Sequence, residues 1–393
     1  MKIIHATDTS VFNFDGISTY INELVHAADN QHEILILTTT PHGATRKAYK
    51  EIEKVKVHQF KCLRFPGKPK FIMVNTQGIQ KIINDFNPDL IWIHTIGTMG
   101  MQTAKAAKNK YNVVYTKHCF DAELWITYLN APSFLHGLLH RVAATMENKI
   151  MKVAREVIYH LNDTSKVRKN KYFPKFRFFG PPLNHRYFSA LKPKEIGNKD
   201  IWKLGFCGRC DPDKGIADTA SALELFKKEH PDMPFSFTLI GDGVEAHRVK
   251  ALHPDLDIKI TGYVDDVIPY LDDLDAFILS SKHETISLSS LEAYARGLQV
   301  YSLPVGFLCE QNPKPERLHI FNSTAGLSHL LAANLGKQKD SSVSTAVGNL
   351  IISYKALFGQ VMKNNAIAPY NETTPKLSVP ISSQNIIWSP TVK

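Results

Sequence analysis

No apolar run in this 393-residue chain approaches the roughly 20 residues that a membrane-spanning helix needs. The opening MKIIHAT goes straight into a strand. A secretory leader would instead set a basic stretch, an apolar stretch and a small-residue cleavage site in order, so the protein is expected in the cytoplasm. Cysteine is scarce: five residues, an odd number thinly spread, argue against a disulfide framework and for a reducing compartment. Cys207-x-x-Cys210 has no second pair at metal-site spacing, which leaves it structural. Acidic residues are few in one half only. Residues 1–200 hold 16 of them against 29 lysines and arginines, whereas residues 201–393 hold 21 against 18. The first half is therefore expected to meet something anionic: a membrane surface, a polyanionic acceptor or nucleic acid.

What is present is a regular alternation. With 44% hydrophobic residues the chain can bury a large core, and its length suits two domains. KIIHAT, HEILILTTT, PDLIWIHT and NVVYTKH read as strands, and GISTYINELVHAA, TQGIQKIINDF and TMGMQTAKAAKNK as the helices between them. That βα order predicts a mostly parallel, doubly wound sheet. Leu135, Leu139, Val142, Met146, Ile150, Val153 and Val157 step by three or four, predicting a helix or broken pair packed on the core. FFGPPLNHRYFSALKPKEIGNKD reads as a linker. The alternation then restarts at WKLGFCGR. The expectation is an N-terminal Rossmann-like domain over 1–190 and a second over 191–364, with a last helix able to cross back to the first. A loose tail rich in Pro, Ser, Thr and Asn covers 365–393.

The chemistry concentrates at the strand ends of the second half. GFCGRCDPDKGI sets Gly208, Arg209, Lys214 and Gly215 between a strand and a helix, where backbone amides and two cations suit a diphosphate. Gly241 in LIGDG and the TGYVDD stretch follow the next two strands, and all these loops share one carboxyl edge. In SKHETISLSSLEAYARG, Glu284 sits in a loop and Glu292 follows with seven residues between them. Ser289-x-x-Glu292 reads as a capping box opening a helix from about Ser290 to Arg296, with Gly297 just past its end.

In order, G-R-x(4)-K-G, I-G-D-G, x-G-Y-V and S-x-x-E-x(7)-E-A-x-A-x-G resemble the family-4 retaining glycosyltransferases, which have the GT-B fold. GISTYINEL, PDLIWIHT, VVYTKH and FFGPPLNHRYF resemble that family's first-domain and inter-domain segments. The resemblance implies two Rossmann-like domains facing across a cleft and a nucleotide-diphosphate sugar, with UDP the expected nucleotide, held by the second. It makes Arg209, Lys214, Glu284 and His118 the catalytic set, the two cations gripping the diphosphate so that no divalent metal or other cofactor is required. Gly208, Gly241, Tyr263, Val264, Ser287, Leu288, Ser289 and Glu292 complete the donor site. Glu292 would meet the ribose and Glu284 the sugar, while Asp15 and Gly16 would face the acceptor or a phosphate. The acceptor implied is a saccharide or a lipid-linked glycan. Departures stand at Asp15-Gly16, at Ile286-Ser287-Leu288 and at Gly306-Phe307, where the family carries two glycines, F-G-L and a glycine pair.

Other signals read as structure. Asp211-x-Asp213, Asp255-x-Asp257 and Asp273-x-Asp275 suit charged loops and helix ends. His5 and His283 lie near strand ends, and His94 is expected in the cleft wall. Two basic segments carry aromatics, Phe60–Phe71 and Lys166–Phe179, the latter with Lys166, Arg168, Lys169, Lys171, Lys175 and Arg177 and no acid. They suit an anionic bilayer, with a plainly solvated face as the competing reading; nucleic acid is not the expected partner. Two rivals to the enzyme remain: a non-catalytic GT-B subunit that binds glycans or a partner, and a polyanion-binding protein.

Overall fold

The computed structural model describes residues 1–28, 30–42, 45–46, 54–65, 68–119, 121–161, 165–189, 200–311, 315–336 and 351–366. Most of the expected linker's end and the expected tail therefore lie outside the described residues.

The first sheet is built from β1 (Lys2–Ala6), β2 (Glu33–Thr39), β3 (Val55–Phe60), β6 (Leu90–Ile93), β7 (Asn112–Thr116), β8 (Glu156–Tyr159) and β9 (Phe176–Phe178), in the order β3-β2-β1-β6-β7-β8-β9. Every pairing is parallel. KIIHA, LIWI and NVVYT are nearly continuous apolar runs because both faces of a parallel sheet are covered. The crossovers run through α1 (Gly16–Ala27), α2 (Ile79–Phe86), α3 (Thr98–Ala107), and α4 (Asp121–Leu129) with α5 (Ser133–Val153). The stretch between β2 and α2, read as a loop, holds β3 and an antiparallel hairpin, β4 (Cys62–Phe65) with β5 (Lys68–Val74). Strand β3, VKVHQF, is largely exposed and polar at alternate positions and lacks the apolar run that marks the inner strands.

The second sheet has β11 (Trp202–Cys207), β12 (Phe235–Ile240), β13 (Ile258–Ile260), β14 (Ala276–Leu279), β15 (Gln299–Ser302) and β16 (Leu318–Ile320), ordered β13-β12-β11-β14-β15-β16 and again wholly parallel. This is the doubly wound order with its switch point between β11 and β14. Its helices are α7 (Ile216–Glu229), α8 (Val244–Leu252), α9 (Ile268–Asp273), α10 (Leu288–Ala295), α11 (Phe307–Glu310) and α12 (Thr324–Asn334); α6 (Ser165–Arg168) precedes β9 in the first half.

The chain then returns. β17 (Ile352–Ser353) pairs in parallel with β10 (Pro182–Leu183), and α13 (Tyr354–Ala366) packs on α1. Tyr354, Leu357, Phe358 and Val361 join Tyr20, Leu24, Trp92 and Ile158 in a cluster on the first sheet.

Helix α5 departs from expectation. It is one helix, but only Ala143, Ile150 and Met151 are buried along it. Phe134 is 80% exposed and Val142 41%, so the apolar stripe packs on the core over its C-terminal half only.

Candidate active site

Strand direction brings four loops of the second half to one edge, and they interlock there. Gly241 bridges Gly262, Cys210 N–H donates to Asp242 O (2.9 Å), and Lys282 N–H donates to Asp213 O (3.0 Å). Two glycines are required by this crowding. At Gly215, with φ of +65°, a Cβ would stand 2.1 Å from Ser280 O; at Gly241, with φ of +143°, it would stand 2.0 Å from Gly208 O.

Across the switch point, the loop after β11 and the loop after β14 meet. Lys214 Nζ donates to Glu284 Oε1 at 2.7 Å, both side chains 17% exposed, and Asp213 lies 3.8 Å from the same ammonium. Arg209 pairs with Asp211 at 3.1 Å and is an electrostatic neighbour of Tyr263. The Tyr263 hydroxyl donates to Asp242 O (3.2 Å), and its ring stacks at 4.9 Å on Phe14 from the first half. The Arg46 guanidinium lies 4.9 Å from the same Phe14 ring. The predicted Arg, Lys and Glu thus gather on one rim facing the first half.

The capping box does not form. Helix α10 begins at Leu288, its N-cap is Ser287 in the left-handed region (φ 58°), and no side chain caps it. Ser287 Oγ is buried without a hydrogen-bond partner among the described residues. Ser287, at the end of the loop that follows β14, takes a left-handed conformation that starts the helix two residues earlier than the capping box would, which places Glu292 in the body of the helix. Glu292 is buried there, and the Tyr187 hydroxyl, from the inter-domain segment, hydrogen bonds to it. Burial raises its pKa to about 7, against the lowering effects of Tyr187, Arg186 and Arg46. Leu288 and Ser289 are half-buried in the first turn, and Val264 is half-buried beside Tyr263.

In the first half, Asp15 is the N-cap of α1 and accepts from Ser18 N–H at 2.8 Å. Gly16 follows with nothing within 4 Å of an added Cβ. His118, two residues beyond β7, is half-buried, its Nε2 3.1 Å from Nδ1 of buried His94; burial pushes the His118 pKa down to about 3. Sequence reasoning passed over Tyr20, Phe14, Arg46, Arg186 and Tyr187. A histidine at or just past the end of each of four successive inner strands, His5, His94, His118 and His160, was the available signal for the buried cluster. The segment 166–179 is less of a free basic face than its composition implies. Lys175 Nζ donates to Met151 O, Lys152 O and Ala154 O at the end of α5, and Arg177 lies 3.9 Å from Glu156, while Arg168, Lys169 and Lys171 remain exposed. Among the described residues no group of three or more His, Cys, Asp or Glu side chains is placed to hold a metal ion, and no helix is long and apolar enough to cross a membrane.

Two parallel doubly wound domains with their strand ends turned to a common gap define the GT-B class. Anabaena Alr3699/HepE, solved with UDP and glucose, superposes with a TM-score of 0.69 at 15% identity over 93% of this chain and 99% of that one. A glycosyltransferase from Rickettsia africae gives 0.65 at 17% identity, over 93% and 97%. The family profile described as Glycosyltransferase Family 4 matches residues 14–169, and that described as Glycosyl transferases group 1 matches 202–320. The chain belongs to the family-4-type glycosyltransferases. A lipopolysaccharide core biosynthesis glycosyltransferase of Rhizobium meliloti, LpsE, is 37% identical over 68 residues, a match covering 16% of this chain and 20% of that protein.

Proposed function

We propose that the chain is a retaining glycosyltransferase moving a sugar from a nucleotide-diphosphate sugar to a hydroxyl of a saccharide or lipid-linked glycan. The observation that carries this is the Lys214–Glu284 contact at the switch point of the second sheet. A cation and a carboxylate held side by side can divide the work of such a transfer. Lys214 and Arg209 neutralise the departing diphosphate, the electrostatic task that costs most in water and least in a preorganised site. Glu284 accepts from hydroxyls of the transferred sugar, and Glu292 from the ribose. The Ser287 Oγ, which has no hydrogen-bond partner among the described residues, and the amides of the first turn of α10 supply further donors beside the phosphates. His118 meets the sugar from the opposite wall, and Gly16 lets the start of α1 approach the acceptor or a phosphate. No divalent metal is assigned a role.

UDP is the favoured nucleotide because the Anabaena neighbour was solved with it. Incubation with UDP, GDP, ADP and TDP sugars, with and without a chelator, tests the reading through binding and slow hydrolysis. The expected result is UDP-sugar binding and hydrolysis with retained anomeric configuration, unchanged by chelator. Arg209→Ala and Lys214→Ala should each cut turnover by about 100-fold or more with the circular dichroism of the native chain. Near-native turnover in both variants would overturn the site. Folded protein that binds glycans but never turns over a donor would favour the non-catalytic subunit instead.

A further inference from the structure

Three histidines at the carboxyl edge of the first sheet, His5 and His94 buried and His118 half-buried, form a hydrogen-bonded series. His5 Nδ1 lies 3.0 Å from His94 Nε2, and His94 Nδ1 lies 3.1 Å from His118 Nε2. Neighbouring rings are stacked, with centroids 5.3 and 5.4 Å apart. Burial holds all three neutral, pushing the pKa of His5 and His118 down to about 3 and that of His94 well below its ordinary value.

A neutral imidazole has one N–H and one lone pair, so two contacts in series permit only two arrangements. If donation runs from His118 toward His5, every ring carries its proton on Nε2, and the series ends on a buried His5 Nε2–H. That atom has no hydrogen-bond partner among the described residues. If donation runs from His5 toward His118, every ring carries its proton on Nδ1, and what is left unpaired inside is only a lone pair. Stranded buried N–H donors are rarer in folded chains than under-used acceptors, which favours the second arrangement.

We infer that His5 and His94 are positioning residues that hold His118 as its Nδ1–H tautomer, so that the ring offers the cleft a fixed hydrogen-bond donor and not a base. The sugar atom facing it is then an acceptor, a hydroxyl or ring oxygen. The inference rests on the reading above that His118 meets the donor sugar.

A second series fixes the ring from the side. Trp92 Nε1–H donates to Thr116 Oγ1 at 2.7 Å, and Thr116 neighbours the Tyr20 hydroxyl. The Tyr20 hydroxyl lies 2.9 Å from His160 Nε2, and His160 Nδ1 lies 3.2 Å from Gly180 O. Because this series ends on a carbonyl, His160 must also carry its proton on Nδ1 and accept from Tyr20. The edge of Tyr20 then meets the His118 ring at 4.6 Å and 85°, which sets its plane.

Long-range proton–nitrogen NMR of the imidazoles in the full-length chain, assigned by loss of signal in single variants, reads each tautomer directly. His118 with a protonated Nδ1 and a lone pair on Nε2 is the expected spectrum; a protonated Nε2 overturns the assignment whatever the kinetics show. His94→Asp puts an acceptor where His94 Nδ1–H stood, and is expected to switch the His118 spectrum and lower turnover about tenfold or more. His94→Asn, whose amide N–H takes the place of Nδ1–H, is expected to recover most of what His94→Leu loses. A switched spectrum with unchanged turnover removes the positioning role. Unchanged turnover in His118→Ala removes instead the reading of His118 at the sugar, while the tautomer still stands or falls on its spectrum.

Discussion

Glu292 carries an electrostatic load that its sequence context does not announce. Its pKa stands at about 7 in the folded chain against an ordinary value of 4.5, with burial as the main cause. An acid whose folded pKa is raised binds its proton more tightly in the native state. Its contribution is therefore complete below about pH 4.5 and is lost as pH rises through 7. Glu292→Gln keeps an acceptor for Tyr187 and has no charge to bury. The variant should gain on the native chain by roughly 3 kcal/mol at pH 8 relative to its difference at pH 4.5, since each pKa unit is worth about 1.4 kcal/mol. Urea titrations at the two pH values measure this, and an equal difference at both would remove the burial argument. The role proposed for Glu292 at the ribose predicts that nucleotide-sugar affinity falls in the same variant, the pattern of a residue that trades stability for binding.

At the level of elements, the strand-end loops of the second half are locked to one another by backbone contact. Gly241→Ala would drive a Cβ into Gly208 O and push aside the loop that carries Arg209. A loss of nucleotide affinity of about tenfold or more is expected, together with a stability loss of about 1–3 kcal/mol from the forced conformation. Gly16→Ala is the matched contrast. Its added methyl meets open space at a helix start, so thermal stability should stay within about 1 kcal/mol of the native value. Any fall in its turnover then reports obstruction of a ligand; calorimetry and donor titration of the two variants separate the cases. Helix α5 shows where element-level pattern misleads. A three-and-four spacing marks an apolar stripe but does not say how far along the helix a neighbour extends, and the α5 stripe meets the core only over its second half.

On the scale of the whole molecule, the last described helix stabilises the sheet that begins the chain. Leu357 is fully buried in the cluster that contains Tyr20, Leu24 and Trp92. Leu357→Ala should cost about 2–5 kcal/mol. In hydrogen exchange the loss should appear first in α1, with α7 and α12 keeping their protection. Faster exchange spread evenly over both sheets would show instead that the two halves unfold as one unit. The Phe14–Tyr263 stack and the exposed 3.5 Å Arg186–Asp266 ion pair are among the contacts between the halves, and buried Arg296 adds a 2.6 Å hydrogen bond to Ser189 O of the segment that joins them.

Two doubly wound halves could be read from the sequence because parallel strands buried on both faces must be continuous apolar runs, and the segments between them must turn with helical period. The placing of Lys214 and Glu284 at one edge followed as well, since both stand in loops beyond the carboxyl ends of neighbouring parallel strands, β11 and β14, and parallel strands share that end. Spacing could not reveal which partner each group takes. Lys214 and Glu284 are 70 residues apart, and Glu292 meets a tyrosine from the segment joining the halves. The serial contact of His5, His94 and His118 depends on the order in which β1, β6 and β7 lie side by side, and the start of α10 at Leu288 depends on the left-handed turn at Ser287 that ends the loop after β14. Local pattern fixes what each segment is; strand order and burial decide which side chains meet and which protons they keep.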